Sequence, residues 1–327
     1  MTDRRYFMIG LGTYAVVMSL AVHAKTSTKP ARVGVIAGGS PDGTGYLIDA
    51  FTGRMNELRY AEGIDVIYEK RYAFGKMERL ADIANELVAL KPDVIFATYT
   101  GAARAAQQAT SVIPIVVGTG DPIAAGLASS LAHPGGNVTG LAGLNVDVSP
   151  KLLELLLLTG PSLVRIARLG NPTNPNSIAT LRALQTAARS TGVHLFAINA
   201  RTPTDIEDAF SRIDREKMRA VIVEGDAFFV QQRHQIAELV SKSGVLSIFS
   251  YREHVEAGGL MSYGENLAER FRLAADYVDK ILKGARPGDL PIEQPTTFEF
   301  VINLKTAKAL GIAIPQLLFL SADKVIQ

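Results

Sequence analysis

The sequence predicts an α/β protein of two similar lobes, each a parallel sheet wrapped by helices. Two observations carry this reading. The order strand, glycine/polar loop, helix, strand, helix, strand, polar loop, helix, strand runs through residues 31–118 and returns through residues 164–249. The strands in both halves are short apolar runs bounded by glycine or polar residues, as expected of strands buried on both faces. A chain of 327 residues has room for two such units, since one domain takes roughly 100–200 residues.

In the first half, Val33-Gly34-Val35-Ile36-Ala37 reads as a strand, Gly38 to Gly45 as a loop, and Tyr46 to Leu58 as a helix with Leu47, Ala50, Phe51 and Leu58 inward. Asp65 to Tyr68 is the next strand. Met77 to Leu90 is amphipathic, with Leu80, Ile83, Ala84, Leu87 and Val88 at helical spacing. Val94 to Ala97 is a strand, Thr98 to Gly101 a loop, Ala102 to Thr110 a helix and Ile115 to Val117 the closing strand.

The second half repeats the order. Arg165 to Leu169 is a strand, Gly170 to Ser177 a polar loop and Ile178 to Thr191 a helix. Leu195 to Ile198, the helix Thr204 to Arg212 and the strand Ala220 to Val223 follow. The loop Glu224 to Phe228, the helix Val230 to Lys242 and the strand Leu246 to Phe249 complete it. Crossings between lobes are expected near Asn145 to Pro150 and near Gly258-Gly259. Residues 31–146 with about 260–290 would then form one lobe, and residues 147–259 with about 291–327 the other. The strand Thr297 to Ile302 and the helix around Lys305 to Leu310 should complete one of the sheets.

The alternation of strands and helices implies right-handed crossovers and parallel sheets. Ligands of such sheets bind beyond the carboxyl ends of the strands. Six loops stand there: Gly38–Gly45, Thr98–Gly101, Gly118–Pro122, Gly170–Ser177, Glu224–Phe228 and Ser250–Glu253. If the lobes face each other, all six meet in one cleft, an arrangement built to hold a small molecule.

The N-terminus carries a targeting pattern. Arg4-Arg5 precede a mildly apolar run from Tyr6 to Val22, and Val22-His23-Ala24 places small residues where signal peptidase reads them. Residues 1–24 are therefore expected to be a signal peptide. Asp3-Arg4-Arg5-Tyr6-Phe7-Met8 resembles a twin-arginine start, and an ordinary secretory signal would also explain it. Removing residues 1–24, which hold Arg4, Arg5 and Asp3, leaves 32 basic and 31 acidic side chains. With no basic stripe, nucleic acid is not an expected partner. Cysteine is absent, so the chain has no disulfide framework, thiol nucleophile or lipid-bearing cysteine. A freely diffusing, monomeric, periplasmic binder without direct membrane insertion is the expectation.

Signatures of catalysis and cofactors do not assemble. No lysine follows Gly43, so Gly38 to Gly45 is not a P-loop, and Gly43-Thr44-Gly45 lacks the third glycine of a dinucleotide fingerprint. No Gly-x-Ser-x-Gly elbow occurs. The five histidines lack zinc spacing. The expectation is no enzyme, no cofactor and no metal.

Several motifs together resemble a known family. They are Gly38-Gly39-Ser40-Pro41, Gly118-Thr119-Gly120-Asp121-Pro122, Pro134-Gly135-Gly136-Asn137-Val138-Thr139-Gly140, and Asn171-Pro172 with Asn176-Ser177. Glu256 to Gly264 and Val301-Ile302-Asn303-Leu304-Lys305-Thr306-Ala307 follow in the same order. The set is similar to the ABC-transporter substrate-binding family with tryptophan- and tyrosine-binding members, over nearly all of residues 31–327. The resemblance implies a type I periplasmic-binding-protein fold, two Rossmann-like lobes joined by a hinge. It also implies a small-molecule ligand, an aromatic amino acid or aromatic carboxylate, and an ABC permease and ATPase as partners. Carried over by position, the pocket would use Ser40, Thr98, Tyr99, Thr100, Asp121, Asn176, Ser177 and Asp226. In amino-acid-binding relatives the acidic residue at the position of Asp226 meets the ligand ammonium. Those relatives continue with Asn-Thr where this chain has Ala227-Phe228, and carry a compact Ser/Thr-Pro type sequence where it has Tyr99-Thr100. Both departures imply a more aromatic, less polar pocket.

Each candidate also has a plain structural reading. Asp226 could cap the following helix, Asp121-Pro122 could simply start a turn, and Asn176-Ser177 could cap a helix or offer its N–H groups to an anion. Tyr99, Phe228 and Tyr251 could stack on an aromatic ligand or belong to the core. Two other functions stay open: a ligand-sensing partner of a membrane receptor, and an exported hydrolase on a related fold.

Overall fold

The computed structural model describes residues 29–327; the signal segment lies outside them. The first lobe begins with β1 (Ala31–Ala37), α1 (Pro41–Glu57), β2 (Val66–Tyr72), α2 (Leu80–Ala89), β3 (Val94–Ala97), α3 (Thr100–Ala109), β4 (Ile115–Thr119) and β5 (Val138–Ala142). Its five strands are all parallel, in the order β2-β1-β3-β4-β5. The chain then runs through α4 (Asn145–Thr159), β6 (Arg165–Gly170), α5 (Ser177–Arg189), β7 (His194–Asn199), α6 (Pro203–Arg215), β8 (Ala220–Val223), α7 (Ala227–Gln231), α8 (Arg233–Ser243), β9 (Leu246–Phe249), α9 (Arg252–Glu256) and β10 (Met261–Gly264). It closes with α10 (Leu267–Leu282), β11 (Glu299–Asn303), α11 (Leu304–Ala309), α12 (Gln316–Ser321) and β12 (Lys324–Ile326). The second sheet has seven strands, β12-β11-β10-β9-β8-β6-β7, parallel throughout except between β10 and β11. The returning C-terminal segment thus adds its two strands to the second sheet, while α10 packs on α1 of the first lobe.

Local chemistry explains where the elements differ from the sequence reading. α1 starts at Pro41 rather than Tyr46, because Ser40 caps it: the Ser40 hydroxyl accepts from the Gly43 amide at 3.0 Å and Pro41 takes the first helical position. The Gly38–Gly45 loop therefore shrinks to three residues. α4 runs through Pro150, a residue expected to break a helix. The missing proline N–H leaves the Val146 carbonyl free, and the Ser149 hydroxyl donates to it at 2.8 Å. The expected helix Val230 to Lys242 is two helices, α7 and α8, meeting at Gln232. β5 escapes the sequence reading because Gly140 interrupts it; at φ +130°, a Cβ there would collide with the Val117 backbone on β4.

The core of the first lobe ties α10 to the sheet. Phe51 stacks on Phe96 at 4.7 Å between ring centroids, and Phe96 meets Phe271 edge-on at 5.3 Å. Burying each such ring contributes about 1.5–3 kcal/mol, so α10 is held to the first lobe though it follows a strand of the second. Among the described residues, no helix is long and apolar enough to cross a membrane.

Candidate functional site

Strand order decides where the site lies. In the first sheet the order reverses between β1 and β3; in the second it reverses between β6 and β8. At such a reversal the loops leave in opposite directions and open a crevice at the carboxyl ends of the strands. The residues after β1 and β3 are Gly38 and Thr98; those after β6 and β8 are Asn171 and Glu224. All four border one cavity of about 200 Å³ between the lobes.

The lobes touch around this cavity. The Ser40 amide donates to Gln231 Oε1 at 2.9 Å, and Gln231 Nε2 donates to the Ser40 hydroxyl at 2.9 Å. Arg233 Nη1 donates to the Gly43 carbonyl at 2.6 Å. Asn176 of the second lobe lies against Gly120 of the first, so closely that a side chain at 120 would displace it. Met77 packs against hydrophobic clusters of both lobes. The structure is a closed clamp.

The sequence candidates fall into two sets. Thr98, Tyr99, Thr100, Asn176, Asp226 and Tyr251 border the cavity. Ser40 sits at the rim as helix cap and bridge to Gln231. Asp121 accepts from the amides of Ile123 and Ala124 at 2.9 and 3.0 Å. Ser177 is bonded to Glu224 behind the wall, and Phe228 is 3 % exposed within the second-lobe core.

Asp226 is both cap and cavity wall. Its carboxylate accepts from the Phe228 amide at 2.8 Å, from Asn171 Nδ2 at 3.0 Å and from Asn174 Nδ2 at 2.9 Å. Burial pushes its pKa up, against the pull of these donors. No cation is bonded to it among the described residues. Tyr99 is half-buried, and desolvation of its hydroxyl together with the Asp226 charge keeps that hydroxyl protonated.

Sequence reasoning missed the polar layer beneath. Glu224 accepts from Arg168 Nη2, from the Asn171 amide at 2.6 Å and from the Ser177 hydroxyl at 2.9 Å. Arg168 is 1 % exposed and also donates to the Ser177 carbonyl at 2.8 Å. Burial raises Glu224 to about 7, with Arg168 opposing. Glu224 was findable, as the first residue after β8 at a strand reversal. Arg168 was not, because an arginine inside a strand gives no hint of turning inward. Arg270, on α10, reaches the cavity from a distant part of the chain and is also missed.

Comparison with known proteins decides the family. The family described as ABC transporter substrate binding protein matches residues 32–326. The chain belongs to it. This substrate-binding protein is 28 % identical over 277 residues to the tyrosine-binding protein of Clostridioides difficile, covering 84 % of this chain and 78 % of that one. Among solved structures, a conserved domain protein from Vibrio cholerae superposes with a TM-score of 0.85 at 27 % identity, covering 91 % of this chain and 100 % of that one. An ABC domain from Streptococcus pneumoniae in complex with L-Trp gives 0.85 at 25 % identity, with the same coverage. More distant sugar-binding proteins share the type I periplasmic-binding-protein fold.

Proposed function

We propose that this substrate-binding protein is exported by residues 1–24, works in the periplasm and captures an aromatic amino acid or related aromatic carboxylate. It then hands the ligand to an ABC permease and its ATPase. The observation that carries the reading is the closed cleft over both strand reversals. There Tyr99 and Tyr251 border the same cavity as Asp226, whose carboxylate faces only amide donors. An ammonium group would supply the missing cation, and the aromatic walls suit a ring. The relatives named for tyrosine and solved with L-Trp support this class. A ligand touching both lobes favours closure only as far as it binds the closed form better. The Ser40–Gln231 and Gly43–Arg233 bonds form across the closed rim, and the permease would read surface that closure brings together.

The test is a thermal-shift screen of the mature chain against aromatic amino acids, aromatic carboxylates and small sugars. A ligand at a hundred times its Kd stabilises by about 2.7 kcal/mol, a shift of several °C. Stabilisation by aromatic amino acids that grows with concentration is expected. A response confined to sugars would overturn the ligand class. No response, with no small molecule released from the denatured protein by mass spectrometry, would overturn the binding role.

A further inference from the structure

The cleft carries a cation whose partner is incomplete. Arg270 borders the cavity from α10, opposite the wall that holds Glu224 and Asp226. Its Nη1 donates to Glu265 Oε1 at 2.6 Å, and Glu265 is buried outside the cavity lining. Its Nε–H is buried and has no acceptor. The Tyr251 hydroxyl, which accepts from Asn145 Nδ2 at 2.7 Å, lies beside the guanidinium and faces the same space.

The loop entering α5 is already taken as a place for an anion. The amides leading into α5 are all bonded: Asn171 to Glu224, Thr173 to Asn171 Oδ1, Asn176 to Asn174 Oδ1 and Ser177 to the Asn174 carbonyl. A carboxylate arriving at that helix end finds these donors spent. Glu224 is matched by Arg168 and Arg270 by Glu265, which leaves Asp226 as the carboxylate without a cation on one wall and the spare Nε–H of Arg270 as the cationic donor without an acceptor on the other. Asn176 Oδ1, buried and without a donor, adds an acceptor on the acidic side.

We propose that Arg270 is the anion anchor of the cleft, taking a ligand carboxylate on its free N–H, while Asp226 faces the ligand's cationic group. The assignment rests on the small-molecule-binding reading and narrows it: the preferred ligand carries both charges, and neither a lone amine nor a neutral sugar satisfies both walls. Arginine suits the task because its planar fork keeps donors for a second carboxylate after binding Glu265.

The test is calorimetry with four probes: L-tyrosine, L-tyrosinamide, 3-(4-hydroxyphenyl)propionate and tyramine. Removing Arg270 alone would strand the buried Glu265 charge, so the pair is removed together as Arg270→Met with Glu265→Met, beside the conservative Arg270→Lys. The wild type should prefer L-tyrosine to its amide at least tenfold. That preference should collapse to within about threefold in the double variant, return in part with lysine, and leave tyramine unaffected. An equal preference in the double variant overturns the assignment, as does a wild type that binds acid and amide alike. If no probe binds the wild type, mass spectrometry of the denatured protein decides. A released ligand bearing an anionic group supports the anchor, and one without it overturns the anchor alone. No ligand of any kind overturns the binding role and the anchor with it.

Discussion

Replacing Asp226 separates its two jobs. Asp226→Asn keeps the shape and one oxygen for the Phe228 amide, now at 2.8 Å. Asn171 Nδ2, which donates to that same oxygen at 3.0 Å, keeps its acceptor, while the other oxygen becomes an NH₂ group facing Asn174 Nδ2, which now donates to it at 2.9 Å. One buried donor left unmatched costs about 1–3 kcal/mol, and the cavity lets water take up part of that. Against the 5–15 kcal/mol typical of folded domains, the variant should fold with a modestly lower Tm. Binding should change far more. Truncating one partner of a buried charge pair costs roughly 2–5 kcal/mol, which is roughly 30- to 4,000-fold in Kd at about 1.4 kcal/mol per tenfold. The assay is calorimetric titration with L-tyrosine beside 3-(4-hydroxyphenyl)propionate, which lacks the ammonium. The variant should lose L-tyrosine affinity by that factor and keep or improve its affinity for the propionate. Equal losses for both ligands, or no loss for L-tyrosine, would refute the reasoning that Asp226 reads a cation.

Two further outcomes follow from the buried polar layer. Glu224→Ala strands Arg168, so urea unfolding should show a loss of about 3–5 kcal/mol, and Arg168→Met with Glu224→Leu should recover most of it; a single variant as stable as wild type would contradict the pairing. Because burial raises Glu224 to about 7 and Asp226 above its ordinary range, the native state binds more protons than the unfolded chain between the ordinary carboxylate range and about pH 7. These groups therefore favour folding most at acid pH, and their contribution falls as pH rises to about 7. An ammonium ligand favours the ionised carboxylates, so its affinity should rise from pH 5.5 to about 7 with proton release measurable by calorimetry in paired buffers. An affinity flat across that range would show that the carboxylates do not titrate with binding.

Much of the fold is legible because strand and helix periods are local. Val33 to Ala37, Val94 to Ala97 and Ala220 to Val223 are apolar runs between glycines and polar loops, and each is a buried strand. Once the alternation is read, the carboxyl ends of the strands follow, and Thr98, Tyr99, Thr100, Asn176, Asp226 and Tyr251 come to the cavity with them. Boundaries failed where a single side chain decides them: Ser40 pulls α1 forward by five residues, and Ser149 carries α4 past Pro150.

The sequence by itself determined two parallel-sheet lobes, the loops that face each other and the family to which the chain belongs. Only the tertiary structure decided which side chains meet there. Arg168 turns inward to Glu224 because the strand buries both faces, leaving the guanidinium no route to water. Arg270 enters the cleft because the Phe51, Phe96 and Phe271 rings fasten α10 to the first lobe. Ser40 is a rim contact, not a floor residue, because closure brings Gln231 over it. None of these pairings has a period or spacing along the chain; each depends on how separate elements dock.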